Sequence, residues 1–171
     1  MPPKGRNGYL VPDLLAPDLR LVFCGTAPSK ASAAARAYYA KPGNRFWPTL
    51  HQVGITPRRF APQEYPALLE LGIGLTDLCK VHSGIDAELP GDAFDLPTFH
   101  RKLKRYQPAM VAFTSKHAGQ LALGRAVDYG PQEEVWGGIR LFVLPSPSGL
   151  ATRFFNIIWW QELAREVASR K

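Results

Sequence analysis

Asp77 closes the short apolar run Gly72-Ile73-Gly74-Leu75-Thr76, and a carboxylate at the end of a buried strand has surroundings dry enough to shift its acidity. So placed, it can stabilise positive charge developing on a substrate and ready a water molecule for attack. Its plainer reading is as the N-cap of a following turn. Asp86, in Ser83-Gly84-Ile85-Asp86, is the next carboxylate to consider; it lies in the Gly- and Pro-containing stretch from Gly84 to Pro97 and reads first as an exposed loop charge. Other familiar chemistries are missing. There is no G-x-x-x-x-G-K-[ST], no G-x-S-x-G and no H-x-x-x-H, and Gly72-Ile73-Gly74 lacks the third glycine of a dinucleotide fingerprint. His51, His100 and His117 fall in segments with helical spacing and read as packing or surface residues, while His82, following the strand that bears Asp77, stays a weak candidate. Cys24 and Cys79 lie inside apolar stretches as small core residues, and no zinc site can be assembled from them.

The elements that must position Asp77 follow from periodicity. Buried strands are expected at 19–24, 72–76, 110–114 and 139–144, and helices at 44–53, 64–71, 96–106, 116–123 and 156–170. Strands alternating with helices predict an α/β fold: a single-domain, three-layer α/β/α sandwich around a mainly parallel four-stranded sheet. In such sheets ligands bind beyond the carboxyl ends of the strands. Gly25-Thr26-Ala27-Pro28-Ser29, Asp77, Ser115-Lys116 and Pro145-Ser146-Pro147-Ser148-Gly149-Leu150 are therefore expected to converge on one edge.

Composition bounds the partners. The 171 residues carry 21 Lys and Arg against 14 Asp and Glu, a net charge of +7, with 46% apolar residues. That apolar content is too high for a disordered chain, and no apolar run approaches the roughly 20 residues needed to cross a bilayer. The excess of cations favours a polyanionic partner, because Lys and Arg displace counterions from phosphates. Residues 1–14 read as a basic tail before a domain at 15–171, and with no apolar segment behind the first residues a cytoplasmic protein is expected.

Taken together, Leu21-Val22-Phe23-Cys24-Gly25-Thr26-Ala27-Pro28-Ser29, Tyr38-Tyr39-Ala40-Lys41-Pro42-Gly43-Asn44-Arg45-Phe46-Trp47, Gly72 to Asp77, and Leu144-Pro145-Ser146-Pro147-Ser148-Gly149-Leu150 resemble the mismatch-specific uracil/thymine-DNA glycosylase family of the uracil-DNA glycosylase superfamily. The likeness runs in order from about Leu15 to Arg165.

The resemblance implies an enzyme that swings a uracil opposite guanine, or a related damaged pyrimidine, out of duplex DNA and hydrolyses its N-glycosidic bond. It implies no cofactor and no metal, and a monomer on double-stranded DNA, with single strands left open as substrates. It places Tyr39 against the flipped pyrimidine, Gly25, Thr26, Ala27 and Ser146 around the base, and Leu150 as the wedge that fills the vacated stack, with Gly149 letting backbone approach the widowed guanine. The leaving pyrimidine anion would be held by the Thr26 and Tyr39 backbone N–H groups. Ser115 and Lys116 would grip phosphates. Each has a plainer identity: Tyr39 a core ring, Leu150 a tucked loop leucine, Gly149 a turn glycine, Lys116 a helix-start lysine. Tyr38, Phe46 and Trp47 read as packing. One position departs from the family. Where much of it carries a water-positioning Asn, this chain has Ala27, whose methyl group orients no water. Asp77 is the best substitute, either activating water or only reading the base edge. Two rivals stay open: a catalytically weak DNA-binding module of the same fold, and a small-molecule hydrolase on an α/β sheet.

Overall fold

The computed structural model describes residues 7–169. Its strands are β1 (Leu21–Gly25), β2 (Ile73–Asp77), β3 (Met110–Phe113), β4 (Gly130–Trp136) and β5 (Ile139–Val143). They form one sheet in the order β2-β1-β3-β5-β4, with every neighbouring pair parallel except β4 against β5. The helices are α1 (Lys30–Ala35), α2 (Phe46–Gln52), α3 (Leu96–Tyr106), α4 (Lys116–Leu123) and α5 (Ile157–Ala168), with 3₁₀ turns at Pro62–Leu71, Asp86–Glu88 and Gly149–Phe154.

Alternation along the strands builds the three layers. On β1, Leu21 and Phe23 face one core, with Phe46 and Leu50 of α2 and Trp160, Leu163 and Val167 of α5. Val22 and Cys24 face the other, with Phe99 and Leu103 of α3 and Ala118 and Ala122 of α4. A sheet buried on both faces reads as near-continuous apolar runs, which is why β1, β2, β3 and β5 are conspicuous in the sequence.

The fifth strand corrects the four-stranded expectation. Gly130-Pro-Gln-Glu-Glu-Val-Trp is an edge strand with exposed positions alternating along it, so no apolar run marks it. Its signal is Gly137-Gly138, at φ 55° and 92°, the two-residue turn that joins it to β5 as a hairpin. The segment 64–71, expected as a helix, is instead part of a 3₁₀ stretch with Pro62 at its start and Pro66 inside it, and Pro66 has no N–H to donate. The short α1, capped by the Ser29 side chain at the Ser32 N–H, is an addition to the expected elements.

The boundary drawn at residue 15 also shifts. Leu10, Val11 and Leu14 are buried, and Leu14 exchanges backbone hydrogen bonds of 2.9 Å each way with Leu75, covering the free edge of β2. Apolar burial and edge pairing thus make the end of the expected tail part of the domain. Its first six residues lie outside the described range. Among the described residues, no helix is long and apolar enough to cross a membrane.

Candidate active site

The carboxyl ends of β1, β2, β3 and β5 open into one cleft of about 320 Å³. Gly25, Thr26 and Ala27 enter it from β1, Asp77 from β2, Thr114 and Ser115 from β3, and Ser146, Ser148 and Leu150 from the loop after β5. Tyr39 and Asn44 come from the connection between α1 and α2. Asp77, Gly25, Thr26, Ala27, Tyr39, Ser115, Ser146 and Leu150, singled out in the sequence, line this space, as does the second carboxylate, Asp86; Lys116 and Gly149 do not.

Asp77 caps no helix. It is the last residue of β2, in register with Gly25 of β1, and only 5% exposed. Its Oδ2 is fully buried and has no hydrogen-bond partner. Burial pushes its pKa up to about 6, against the downward pull of Lys80, Lys102 and the Gly25 backbone, with Asp13 adding to the rise. Gly25 is what makes room for it: a Cβ there would stand 2.6 Å from Asp77 Oδ1 and 3.4 Å from both the Tyr39 and Thr114 hydroxyls.

Behind Asp77 lies a charged cluster. Lys80 is 7% exposed, and its Nζ sits 3.0 Å from Asp13 Oδ1, 2.9 Å from the Tyr38 hydroxyl and 3.8 Å from Asp77 Oδ2. Lys102 of α3 reaches the other oxygen of Asp13 at 2.6 Å, and the Thr76 hydroxyl donates to Asp13 Oδ1 at 2.7 Å. Burial works against the charge on Asp13, yet Lys80, Lys102 and these hydrogen bonds hold it below the ordinary carboxylate range. None of these groups was singled out in the sequence. Lys80 follows Asp77 by three residues, the one local signal available; Asp13 was hidden in the expected tail.

Tyr39 occupies the left-handed region at φ 53°. A tyrosine holds this unfavourable backbone only where its surroundings fix it. Its ring stacks on Phe46 at 3.9 Å and 17°, and its hydroxyl shares a 3.0 Å hydrogen bond with Thr114 Oγ1. Burial, then the charge of Asp77, push the Tyr38 and Tyr39 phenols well up, so both keep their protons. Tyr38, Phe46 and Trp47 are buried core residues, as expected of packing positions.

The loop after β5 is braced by its own serines. Ser146 Oγ accepts from the Ser148 N–H, and Ser148 Oγ from the Leu150 N–H, each at 3.2 Å. The Trp160 indole donates to the Pro145 carbonyl and the Arg45 N–H to that of Pro147. This frame presents Leu150 at 68% exposure, so it is not a tucked core leucine. Gly149 lies against the Gly43 backbone. Ser115 Oγ accepts the Ala118 N–H and caps α4, leaving its hydroxyl proton free of that bond. Lys116 turns aside, with its Nζ 4.5 Å from the Tyr129 ring centre.

Asp86 is exposed but reaches the cleft, where it accepts from the Thr26 hydroxyl at 3.1 Å, with His117 Nε2 at 3.7 Å from its other oxygen. Among the described residues, no three His, Cys, Asp or Glu side chains come together in a way that could hold a metal ion. The loops that meet at this cleft are those whose order along the chain, from about Leu15 to Arg165, carries the family resemblance. Nearly the same span, residues 12–164, matches the family model of the uracil DNA glycosylase superfamily, and the chain belongs to that superfamily.

Proposed function

We propose that this glycosylase is of the mismatch-specific type: it removes uracil opposite guanine, and related damaged pyrimidines, from double-stranded DNA and leaves an abasic site, with Asp77 in place of the missing water-positioning Asn. Superfamily membership makes DNA the partner and glycosidic cleavage the reaction class, and favours neither binding alone nor small-molecule hydrolysis. One observation carries the finer reading. Beside Ala27, which offers no polar side-chain atom, the cleft is lined by the desolvated carboxylate of Asp77, with Oδ1 on the side of Gly25 and Oδ2 turned to Lys80.

The chemistry follows from those groups. A base inside a duplex hides its sugar bond, so the nucleotide swings out and Leu150 takes its place in the stack. Tyr39, backed by Phe46, supplies a fixed platform on which the pyrimidine stacks, worth roughly 1–3 kcal/mol and indifferent to base identity. Ser146 and the turn from Gly25 to Ala27 surround the base. As the bond from sugar C1′ to the base nitrogen breaks, its electrons leave with the pyrimidine anion, which the Thr26 and Tyr39 backbone N–H groups stabilise. Positive charge then builds on the sugar. Asp77 faces it as a carboxylate and accepts a proton from the water whose oxygen bonds to C1′. Ser115 at the mouth of the cleft, and Lys116 on the rim beside it, contact backbone phosphates.

The test is single-turnover release of uracil from a G·U duplex by the wild type, Asp77→Asn and Asp77→Ala. Release falls by roughly 10²–10⁴-fold in both variants, the usual worth of a general base, while duplex binding stays near wild type. Full release would transfer the role to Asp86, His82 or a water held by the cleft alone. Tight G·U binding by the wild type with no abasic product would identify a binding module.

A further inference from the structure

We propose that Lys80, held in place by Asp13 and Tyr38, is the positioning residue that keeps Asp77 in its ionised, water-readying form; this rests on the role given to Asp77 above. A buried ammonium requires partners, and Lys80 has two close ones, Asp13 Oδ1 at 3.0 Å and the Tyr38 hydroxyl at 2.9 Å. That hydroxyl is itself fixed, donating to the Pro12 carbonyl at 3.0 Å. Lys80 Nζ therefore stops 3.8 Å from Asp77 Oδ2, within strong Coulomb range but beyond hydrogen-bond reach. The oxygen nearest the ammonium is the one left without a hydrogen bond. It is held ionic and unshared.

Charge counting explains why Lys80 acts on Asp77 and is not consumed by Asp13. Asp13 carries one negative charge and contacts two ammonium groups, Lys80 and Lys102, at 3.0 and 2.6 Å. The trio has one positive charge left over, and Asp77 is the acid beside it. Ionising Asp77 balances the cluster, which offsets part of what burial costs the charge. Among the described residues, no cation besides Lys80 and Lys102 acts appreciably on Asp77, although Lys41 also lines the cleft. Cys24 on β1 and the Tyr38 and Tyr39 phenols have their pKa values raised by burial and stay neutral. Thr114 beyond β3 is uncharged, and across the cleft Asp86 is engaged with Thr26 and His117.

Two substitutions with opposite signs test this. Lys80→Met removes the facing cation; the acidic limb of uracil release moves up by about one pH unit or more, and so does the Asp77 carboxyl titration followed by carbon-detected NMR. Asp13→Asn removes an anion that disfavours ionisation and frees both lysines to face Asp77; both readouts move down. Lys80→Arg restores the wild-type midpoint. Where Lys80→Met does not fold, Lys102→Met removes the outer ammonium and moves both midpoints up by less. A structural role lowers the amount of active protein and leaves the midpoints where they were. Unmoved midpoints in Lys80→Met and Asp13→Asn, with Asp77→Asn inactive, overturn the role of Lys80 and leave that of Asp77 standing. Full activity in Asp77→Asn overturns the base itself, and the NMR titration then still reads whether Lys80 and Asp77 are coupled.

Discussion

Asp77 and Leu150 line the same cleft at 5% and 68% exposure. Around Asp77, the contacts are made by strand ends in fixed register and by buried side chains: Gly25 opposite, Thr114 and Tyr39 above, Lys80 behind. Around the mouth, they are 3₁₀ turns and exposed pairs, such as Lys30 with Glu88, whose side chains are 72% and 41% exposed. Exposed pairs of that kind are worth roughly 0–1 kcal/mol, so this part of the molecule can give way as DNA arrives. The floor cannot, because moving one group there moves its neighbours. The difference divides the labour: strand ends fix the chemistry, and loops meet the helix that delivers the base.

The sharpest way to break this contrast is to add one methyl group to the floor. Gly25→Ala puts a Cβ where Asp77 Oδ1 already stands 2.6 Å away, with the Tyr39 and Thr114 hydroxyls at 3.4 Å leaving no slack on the other sides. The carboxylate must swing or β1 must shift. Misplacement on the scale of 1 Å costs about 10²-fold in rate, so release from a G·U duplex falls by roughly that factor or more. Activity within threefold of wild type would show that the floor is as compliant as the rim.

Function and stability pull against each other at Asp77. Its folded pKa of about 6 lies above the ordinary 3.8, so the folded state binds this proton more tightly than the unfolded one. The stabilisation it brings is complete below about pH 4 and is lost as pH rises through about 6. Asp77→Asn keeps the neutral form at every pH. It is therefore more stable than wild type by on the order of 1–3 kcal/mol at pH 8, and gains nothing near pH 3.5. Urea unfolding at the two pH values measures the difference; an equal effect at both would mean that the shift in acidity is absent.

Legibility in the sequence follows the same division. Buried parallel strands and amphipathic helices announce themselves by apolar periodicity, and α3 and α4 fall at the residues expected, Leu96–Tyr106 and Lys116–Leu123. β4 escaped because an edge strand needs apolar side chains on neither a full face nor a continuous run; the turn Gly137-Gly138 was its only mark. In the cleft, residues at strand ends were found because topology sends those ends to one edge, and Asp77 is the clearest case. Asp13 and Lys102 come from the N-terminal segment and from α3, far from Asp77 in the chain, and only tertiary packing brings them to Lys80. Lys116 stands at the start of α4 as expected, with its ammonium over the Tyr129 ring and outside the residues that line the cleft.

The smallest expected effect belongs to the rim. Leu150→Ala removes a side chain that water already surrounds, so unfolding free energy changes by less than about 0.5 kcal/mol. On a duplex the variant has nothing to occupy the gap left by the flipped base, and uracil release slows by roughly 10-fold. On a single-stranded substrate there is no partner stack to fill, so the rate stays near wild type. The ratio of the two rates isolates the wedge from the floor, since Asp77, Gly25 and Tyr39 act on the flipped nucleotide in both substrates alike. Equal slowing on both would mean that Leu150 only walls the base pocket, and the separation between a chemical floor and a DNA-reading rim would lose its exposed member.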